Sequence, residues 1–184
     1  MNDRWNTFME IIVRKGTLED VNDIEELYNS SIDYLEAHTN YPGWKKGVYP
    51  TKEDARNGID EDCLFVAECG HKIVGTIILR HKPEEAYATV KWKKDLDYEE
   101  VLVIYTFAIH PDYLKQGIGS KLLQFAESYA KEHKVKSIRL DVVKENLPAI
   151  SAYEKNGFEY VATVDLGYEA YGLKWFHLYE KLIG

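Results

Sequence analysis

The chain has 184 residues, of which 45% are hydrophobic and 13% aromatic, which is enough for one domain with a sizeable core. Its formal net charge of −8 disfavours nucleic acid as a main partner, because a phosphate backbone needs a basic surface. The longest nearly uncharged run, at 101–111, is about half the ~20 residues of a membrane-spanning helix, and the acidic N-terminus does not resemble a signal peptide. We therefore expect a single cytoplasmic domain over residues 1–184, with neither nucleic acid nor a membrane as partner.

The N-terminal part of the chain predicts one strand and two helices. Residues 10–17 have the composition of a strand, and Thr17 with Asp20 resembles a capping box at the start of an amphipathic helix. A loop rich in proline, glycine and asparagine follows at 37–50. Thr51 then indicates the start of a second, shorter helix.

Two β-rich runs at 63–69 and 72–80 predict an antiparallel hairpin, because only a tight Gly-His turn separates them. The charged stretch that follows, at 81–100, predicts a solvated connection or an extended hairpin tip. Its single large anchor is expected to be Trp92.

The chain contains two cysteines, Cys63 and Cys69. Their spacing along one strand predicts that both side chains point to the same face, too far apart to form a disulfide. We expect both to be buried, reduced packing residues.

Residues 101–143 predict a strand, a glycine turn, a helix and a second strand. In residues 101–109 the odd and the even positions are both mostly apolar, which is typical of a central strand covered on both faces. From Ile118 onward the apolar residues have helical spacing, and 136–143 alternates as a strand. This order favours parallel pairing of the two strands.

The C-terminal part predicts a helix at 147–156 that ends at Gly157. Two further strands follow, at 158–165 and 173–182. We find no internal repeat or linker in the sequence, which agrees with one domain.

Gly117 and Gly119 lie in the turn between the central strand and its helix. The first N–H groups of that helix have no intrahelical partner and lie at the positive end of its dipole, so the turn is suited to hold a phosphate. Glycine permits close approach of the anion, and Lys115 and Lys121 add positive charge. A glycine turn without any ligand is the alternative.

Two common nucleotide motifs do not fit this turn. A Walker loop ends in Gly-Lys-Ser/Thr, whereas here Ser120 precedes Lys121. A dinucleotide fingerprint needs a third glycine or an alanine, and that position is Leu122. A nucleotide-binding protein of another kind remains only as an alternative.

The segment FAIHPDYLKQGIGSKLLQFAESYA at 107–130 resembles the acyl-CoA pyrophosphate motif of the GNAT superfamily of N-acyltransferases, Arg/Gln-x-x-Gly-x-Gly/Ala. The sequence departs from the motif at Leu114, where the family has Arg or Gln, but it retains the glycines of the backbone nest. The resemblance assigns cofactor contacts to the following residues: Leu114, Lys115, Gln116, Gly117, Ile118, Gly119 and Ser120.

A second segment, KENLPAISAYEKNGFEYV at 144–161, resembles a later motif of the same family. In that motif an asparagine stands at the mouth of a helix, a tyrosine lies along the helix, and Gly-Phe leads into the next strand. Asn146 and Tyr153 match the first two positions. Two motifs in the family's order are more specific than either alone.

The resemblance implies an α/β (α+β) fold with a mixed, mostly antiparallel, twisted sheet, a splayed parallel central pair and helices on both faces. It also implies acetyl-CoA as co-substrate and transfer of the acetyl group to a primary amine, on a small molecule or a peptide, by direct attack. Backbone groups of Phe107, Ala108 and Ile109 are expected to hold the pantetheine arm and the thioester carbonyl. An acyl-CoA-binding regulatory module without turnover stays open as the alternative.

Tyr153 corresponds to the family tyrosine that donates a hydrogen bond or a proton to the departing sulfur. A phenol with a pKa near ~10 is protonated at neutral pH and eases departure of a thiolate whose thiol has a pKa of about 8.5. Asn146 is assigned a contact with the cofactor. Both residues also have structural interpretations, because Tyr153 fits a helix core and Asn146 before Leu-Pro fits a helix N-cap.

The general base has two candidates. An α-amine, with a pKa of about 7.7–8.0, needs little help, whereas a lysine-like amine near about 10.4 must be deprotonated. Glu100 stands at the entry to the central strand and Tyr105 lies within it. His110 precedes Pro111 at the cofactor end, which favours a turn or surface role over acceptor activation.

Aromatic residues in two loops are expected to form the acceptor pocket. They are Tyr41, Trp44 and Tyr49 after the first helix, and Tyr168, Tyr171 and Trp175 before the last strand. Packing anchors or a homodimer face are the alternatives. No His/Cys cluster has metal-ligand spacing, so no metal is expected.

Overall fold

A computed structural model describes residues 10–184; the acidic N-terminus, to which the signal-peptide argument applies, lies mostly outside them. The helices are α1 (Val21–Ala37), α2 (Lys52–Asp60), α3 (Ile118–Glu132) and α4 (Leu147–Lys155). The strands are β1 (Ile11–Lys15), β2 (Leu64–Cys69), β3 (Lys72–Arg80), β4 (Val101–Ile109), β5 (Ser137–Val143), β6 (Glu159–Asp165) and β7 (Trp175–Leu182). Among residues 10–184, no helix is long and apolar enough to cross a membrane.

The chain enters α1 and α2 through the two predicted capping boxes. The Asp20 carboxylate accepts hydrogen bonds from the Thr17 backbone N–H at 2.7 Å and from the Thr17 hydroxyl at 3.1 Å. Asp54 bonds Thr51 in the same way, at 2.7 and 2.8 Å. Each capping box provides acceptors for backbone N–H groups that have no intrahelical partner at a helix start. Local sequence therefore sets where both helices begin.

The seven strands form one sheet in the order β1-β2-β3-β4-β5-β7-β6. All neighbouring pairs are antiparallel except β4 and β5, which are parallel. Apolar residues of α1 and α2 pack on one face of the sheet, and those of α3 and α4 on the other. We call these the α1 face and the α3 face. The predicted mixed sheet, with a parallel central pair and helices on both faces, is confirmed.

The parallel strands β4 and β5 separate soon after they meet. Their pairing comprises Val101 with Ser137, Leu102 with Ile138 and Val103 with Arg139. Beyond these pairs β4 stays bonded to β3, and β5 stays bonded to β7, so the two strands diverge. The gap between 104–109 of β4 and 140–143 of β5, here called the fork, leaves backbone groups of both edges without a strand partner.

A β-bulge lies in β4 where the fork opens. The β3–β4 register shifts there, and Thr106 has a φ of +43°, which is rare for a β-branched residue. The extra residue reverses the alternation of side chains, so Tyr105 packs on the α1 face and Phe107 on the α3 face. The Tyr49 hydroxyl hydrogen-bonds the Thr106 hydroxyl at 2.6 Å and holds the bulge from the α1 face.

The connection at 81–100 is not only a solvated loop, because two of its aromatic side chains pack on the sheet. Tyr87 is 1% exposed, and the ring of Trp92 packs against it with centroids 5.1 Å apart. Both rings lie over Val101, Val103 and other apolar residues of the α1 face. The expectation of Trp92 as the only large anchor was therefore wrong. Tyr87 lies among charged residues in the sequence and carries a polar hydroxyl on an apolar ring, so the sequence pattern did not mark it as buried.

A buried ion pair attaches this connection to the sheet. Arg139 Nε lies 3.0 Å from Glu180 Oε1, and both side chains are at most 2% exposed. The Arg139 guanidinium stacks over Trp92 at 4.2 Å and donates to the Lys94 carbonyl, while Glu180 accepts from the Lys93 N–H. Each charge is paired and hydrogen-bonded, which makes its burial tolerable.

The two cysteines are free and buried, as expected. They do not share a face, however. Cys69 packs on the α3 face, whereas Cys63 packs with α1 and α2. The prediction of one face was wrong because Cys63 lies one residue before β2 begins, where strand alternation does not apply.

Replacing Arg139 with alanine should lower the free energy of unfolding by about 3–5 kcal/mol, because it leaves the Glu180 carboxylate buried without a cation. Lys136→Ala is the matched control, since it breaks an exposed pair with Glu100 that contributes about 0–1 kcal/mol. Urea unfolding followed by circular dichroism measures both. Equal losses in the two variants would contradict the assigned weight of the buried pair.

Candidate active site

The glycine turn at the start of α3 has an open, donor-rich surface. Gly117 caps the helix with a φ of +82°, and a Cβ added there would meet no protein atom within 4 Å. Residues 114–117 are exposed, and Lys115 also has a positive φ, of 60°. The first N–H groups of α3 therefore face solvent at the positive end of a helix of 15 residues.

This surface fits the pyrophosphate of an acyl-CoA without help from Leu114. The Leu114 side chain is 37% exposed and has no polar atom to offer. Gln116 donates to the Asp112 carbonyl at 2.9 Å, which fixes its side chain within the turn. The donors that this turn offers to an anion are therefore its backbone N–H groups, with Lys115 as the adjacent cation.

Phe107 joins the glycine turn to the fork. A Cβ added at Gly119 would make ordinary van der Waals contact with the Phe107 ring, at 3.4 Å, so the start of α3 lies beside this ring. On its other side, the Phe107 ring lies 5.8 Å from the ring of Tyr153, centroid to centroid. The bulge at Thr106 makes this possible, because without the extra residue Phe107 would point to the α1 face.

Tyr153 lies on α4 with its ring in the core and its hydroxyl uncommitted. The residue is 6% exposed and packs against Phe107 and Phe158. Within the described residues its hydroxyl makes no hydrogen bond. Burial raises the pKa of this phenol well above its usual value, so it remains a hydrogen-bond donor across the physiological range. This position is compatible with Tyr153 as a packing residue of the core and also as a hydrogen-bond donor to a ligand.

Side-chain hydrogen bonds fix the position of α4 beside α3. Asn156 donates to the Ser120 hydroxyl at 3.2 Å and so joins the end of α4 to the start of α3. Asn146 accepts from the Ala149 N–H at 3.3 Å, which is the N-cap bond expected from sequence. Its proposed contact with the cofactor stays a prediction.

On the α1 face, a carboxylate stands beside the fork. Asp141 points from β5 to this face, and the Tyr87 hydroxyl donates to its Oδ2 at 2.7 Å. Asp141 keeps partial exposure, although dense protein surrounds its carboxylate. This desolvation raises the pKa of Asp141 from 3.8 to about 6; the Tyr87 bond opposes the rise and the charge of Glu84 adds to it.

The two base candidates from sequence are placed differently. Tyr105 lies on the α1 face near the fork, but its hydroxyl donates to the Lys82 carbonyl at 2.8 Å. Burial and the charges of Glu84 and Asp141 raise the pKa of Tyr105 far above neutrality, so it retains its proton. Glu100 pairs with Lys136 at the closed end of β4 and β5, and the structure does not bring it to the fork.

The loop aromatics separate into two groups. Tyr41 and Trp175 line a cavity of about 410 Å³ together with Val143 and Leu173. Tyr49 instead reaches the bulge of β4, with Trp44 packed edge-on against it at 6.2 Å. The remaining two are exposed, Tyr168 at 37% and Tyr171 at 66%. A pocket thus forms from part of the predicted set.

Sequence reasoning missed Asp141 and Tyr87. One signal for Asp141 was available: it is the single acidic residue of β5, at an alternate position of the strand that also carries Ser137 and Arg139. Tyr87 had no comparable signal, because it lies in a charged segment of irregular structure. The cap formed by His110, whose Nδ1 accepts from the Asp112 N–H at 3.2 Å, agrees with the turn role expected for it.

Comparisons with known proteins identify one family. Residues 24–158 match the model of the acetyltransferase (GNAT) family. An uncharacterized N-acetyltransferase of Methanocaldococcus jannaschii is 30% identical over 161 residues, which are 84% of this chain and 63% of that protein. The chain thus spans less than two thirds of the length of that relative.

Solved structures share the fold. A GNAT-family acetyltransferase from Streptococcus agalactiae superposes with a TM-score of 0.78 at 20% identity, over 95% of this chain and 96% of that chain. A Salmonella typhimurium protein described as an acetyltransferase with its cofactor acetyl-CoA has a TM-score of 0.70 at 14% identity, over 95% and 94% of the two chains. At these identities the likeness establishes the fold alone.

Asp141→Asn should raise the free energy of unfolding at pH 8, by up to about 3 kcal/mol, because the charged carboxylate is desolvated in the folded state. A carboxyl whose folded pKa is raised stabilises the fold below its unfolded pKa and loses that contribution as pH rises to about 6. The gain should therefore vanish below about pH 4. Urea unfolding across pH measures it, with the exposed Asp62→Asn as control. A pH-independent difference would contradict this prediction.

Proposed function

The chain belongs to the acetyltransferase (GNAT) family, and we propose that it transfers an acetyl group from acetyl-CoA to a primary amine by direct attack of the amine nitrogen on the thioester carbonyl. The proposal takes residues 1–184 as one such domain. The acceptor is the amine of a small molecule or of a peptide. No metal enters the proposed chemistry, because the attack needs only a positioned amine, oxyanion donors and a hydrogen bond to the leaving sulfur.

The main support for this transfer is that the groups it needs lie next to one another on the α3 face. The glycine turn, the Phe107 ring and the Tyr153 ring follow one another along this face. A pyrophosphate at the turn, a pantetheine arm along the fork and a thioester near Tyr153 fit this order. The open edge of β4 from Phe107 to Ile109 supplies N–H and C=O groups for the arm.

The residues of the fork have complementary roles in the transfer. Backbone N–H groups of β4 bind the carbonyl oxygen as negative charge develops on it. The nitrogen lone pair forms the new C–N bond, and the C–S bond breaks with its electrons on sulfur. Tyr153 donates a hydrogen bond to that sulfur, and the proton that the nitrogen loses after attack converts the thiolate to the thiol of CoA.

A screen of primary amines with acetyl-CoA tests the activity, with CoA release as the readout and mass spectrometry of the acetylated product as confirmation. Acetyl-CoA should also raise the melting temperature far more than adenosine does, because adenosine lacks the pyrophosphate and the pantetheine arm that the proposed site holds. Thermal protection without any product would favour the alternative, a binding module that lacks turnover. Equal protection by adenosine would contradict the proposed channel along the fork.

Gly117→Val should weaken acetyl-CoA binding by roughly tenfold or more, because a side chain at a φ of +82° is strained and its Cβ occupies the anion surface. Gly70→Val is the matched control, since Gly70 also has a positive φ and open space but lies in the β2–β3 turn. Isothermal titration calorimetry measures both affinities. Unchanged affinity in Gly117→Val would remove the glycine turn from the binding site.

Tyr153→Phe should lower kcat roughly 10²-fold with little change in acetyl-CoA affinity, because only the hydroxyl that assists the leaving sulfur is lost. Tyr129→Phe is the control, as Tyr129 lies on α3 and stacks on His133 at 3.9 Å, away from the fork. Steady-state rates with a reactive amine give both values. Equal rates in the wild type and Tyr153→Phe would exclude the assigned role.

A further inference from the structure

Three hydroxyl groups meet at the bulge of β4 on its α1 side. The Tyr49 hydroxyl hydrogen-bonds the Thr106 hydroxyl at 2.6 Å. The Thr76 hydroxyl, which comes from β3, donates to the Thr106 carbonyl at 3.4 Å, a long bond for an O–H donor. Thr76 and Thr106 are both buried, so water competes little for these groups. Two different elements of the fold therefore hold Thr106, one at its side chain and one at its carbonyl.

The backbone at Thr106 needs this restraint. A φ of +43° is strained for a β-branched residue, and a strained conformation persists only where its surroundings fix it. The sheet does not fix it, because neither Thr106 nor Phe107 has a partner residue in β3 or in β5. The hydroxyls of Tyr49 and Thr76 therefore restrain a segment that the strand ladder leaves free.

The direction of the Thr106 carbonyl sets the direction of the next N–H group. Within one planar trans peptide, the C=O and the N–H point in opposite directions. The Thr106 carbonyl faces the Thr76 hydroxyl on β3, so the Phe107 N–H points away from β3, toward the fork. The Phe107 side chain lies on the α3 face, beside the ring of Tyr153. This N–H is therefore available to a thioester that lies in the fork.

The loop at 37–50 fixes the position of Tyr49 through bonds of its own. The Asn40 side chain donates to the Trp44 carbonyl at 2.7 Å and accepts from the Trp44 N–H at 3.1 Å. Lys45 and Tyr49 exchange two backbone hydrogen bonds of 3.0 Å each. The ring of Trp44 packs edge-on against the ring of Tyr49. The Tyr49 hydroxyl thus reaches Thr106 from a preset position, which a supporting group around a functional site needs.

We propose that Tyr49 and Thr76 are positioning residues, which fix the peptide between Thr106 and Phe107 so that the Phe107 N–H donates to the thioester carbonyl oxygen. This inference rests on the acetyl transfer proposed above. A donor with a fixed direction needs no reorganisation when negative charge develops on the oxygen, so it stabilises the transition state more than a mobile donor does. Neither hydroxyl contacts the reacting atoms, because both act through Thr106.

Tyr28 provides a matched control on the same face. It is buried on α1, and among the described residues its hydroxyl is buried without a hydrogen-bond partner. Loss of this hydroxyl leaves no donor or acceptor unpaired, so Tyr28→Phe should preserve both the fold and the rate. Tyr49→Phe removes the same atom from the same residue type but breaks the bond to Thr106.

Steady-state kinetics with a reactive amine from the screen test the bond between Tyr49 and Thr106. Tyr49→Phe and Thr106→Val should each lower kcat roughly tenfold with acetyl-CoA affinity unchanged, because the donor loses its fixed direction while the glycine turn stays intact. Thr106→Ser keeps the hydroxyl and should retain most of kcat. The double variant Tyr49→Phe/Thr106→Val should be no slower than the slower single variant, because both changes remove one bond. Unchanged kcat in Tyr49→Phe, or losses that multiply in the double variant, would overturn the proposal.

The bond from Thr76 is tested in the same way. Thr76→Val should lower kcat at unchanged acetyl-CoA affinity, whereas Thr76→Ser, which keeps the donor to the Thr106 carbonyl, should restore it. A residue that only filled space in the core would show the opposite order, because valine fills the space of threonine better than serine does. A slower Thr76→Ser than Thr76→Val would therefore remove Thr76 from the proposal.

Nuclear magnetic resonance of the Phe107 amide tests the donor without turnover. The chain has six phenylalanines, so selective ¹⁵N labelling of this residue type gives few signals, and Phe107→Leu identifies the one of interest. The Phe107 amide proton should lie at higher frequency with acetyl-CoA than with CoA, because only acetyl-CoA carries the carbonyl. This difference should shrink in Tyr49→Phe and stay in Tyr28→Phe. Equal Phe107 shifts in the two wild-type complexes would contradict the assigned donor.

The two experiments separate this inference from the proposed function. A Phe107 shift that depends on the acetyl group and on Tyr49, in a protein that acetylates no amine, supports the positioning role and overturns the transfer. Acetyl transfer with an unaltered kcat and an unaltered Phe107 shift in Tyr49→Phe overturns the positioning role while the activity stands. Melting temperatures verify that each variant is folded, and Thr106→Val tests the same bond if Tyr49→Phe does not fold.

Discussion

The divergence of two parallel strands is the constraint from which the site follows. Strands β4 and β5 hydrogen-bond over three residue pairs and then remain attached only to their outer neighbours, β3 and β7. Backbone groups in the middle of a sheet are normally consumed by the ladder. The fork instead leaves a row of them without a strand partner, and hydrogen bonds to such groups are strong where a ligand excludes water. Such a row can bind an extended ligand without any special side chain.

The bulge at Thr106 gives the two faces of the fork different chemistry. By reversing the side-chain alternation, it places Phe107 against the glycine turn and Tyr153 while Tyr105 remains on the opposite face. The α3 face then holds neutral donors and a protonated phenol. The α1 face holds Asp141, whose charge is desolvated and unpaired in the described chain.

The connection at 81–100 shows how stability elsewhere supports this strained arrangement. The paired, hydrogen-bonded charges of Arg139 and Glu180 attach Trp92 to the sheet, and Trp92 Nε1 donates to the Tyr87 carbonyl at 3.0 Å. Tyr87 in turn orients Asp141. The buried Arg139–Glu180 pair thus helps to hold the surroundings of the Asp141 carboxylate, whose charged form is destabilised by desolvation. Opposed contributions of this kind are typical of functional sites.

The amino-acid sequence alone predicts the elements, their order and the glycine turn before α3. Periodicity, composition and capping residues together predict the four helices and seven strands of the described chain. The glycine turn and Tyr153 carry the family resemblance. These features depend on residues close in the chain, so local patterns suffice. The side chains that stand on the α1 side of the fork are set by the tertiary structure alone. Asp141 and Tyr87 are 54 residues apart, and Glu100 is drawn to Lys136 instead of the fork. A bulge of one residue and a buried ion pair determine which side chains meet there, and neither leaves a periodic signal in the sequence.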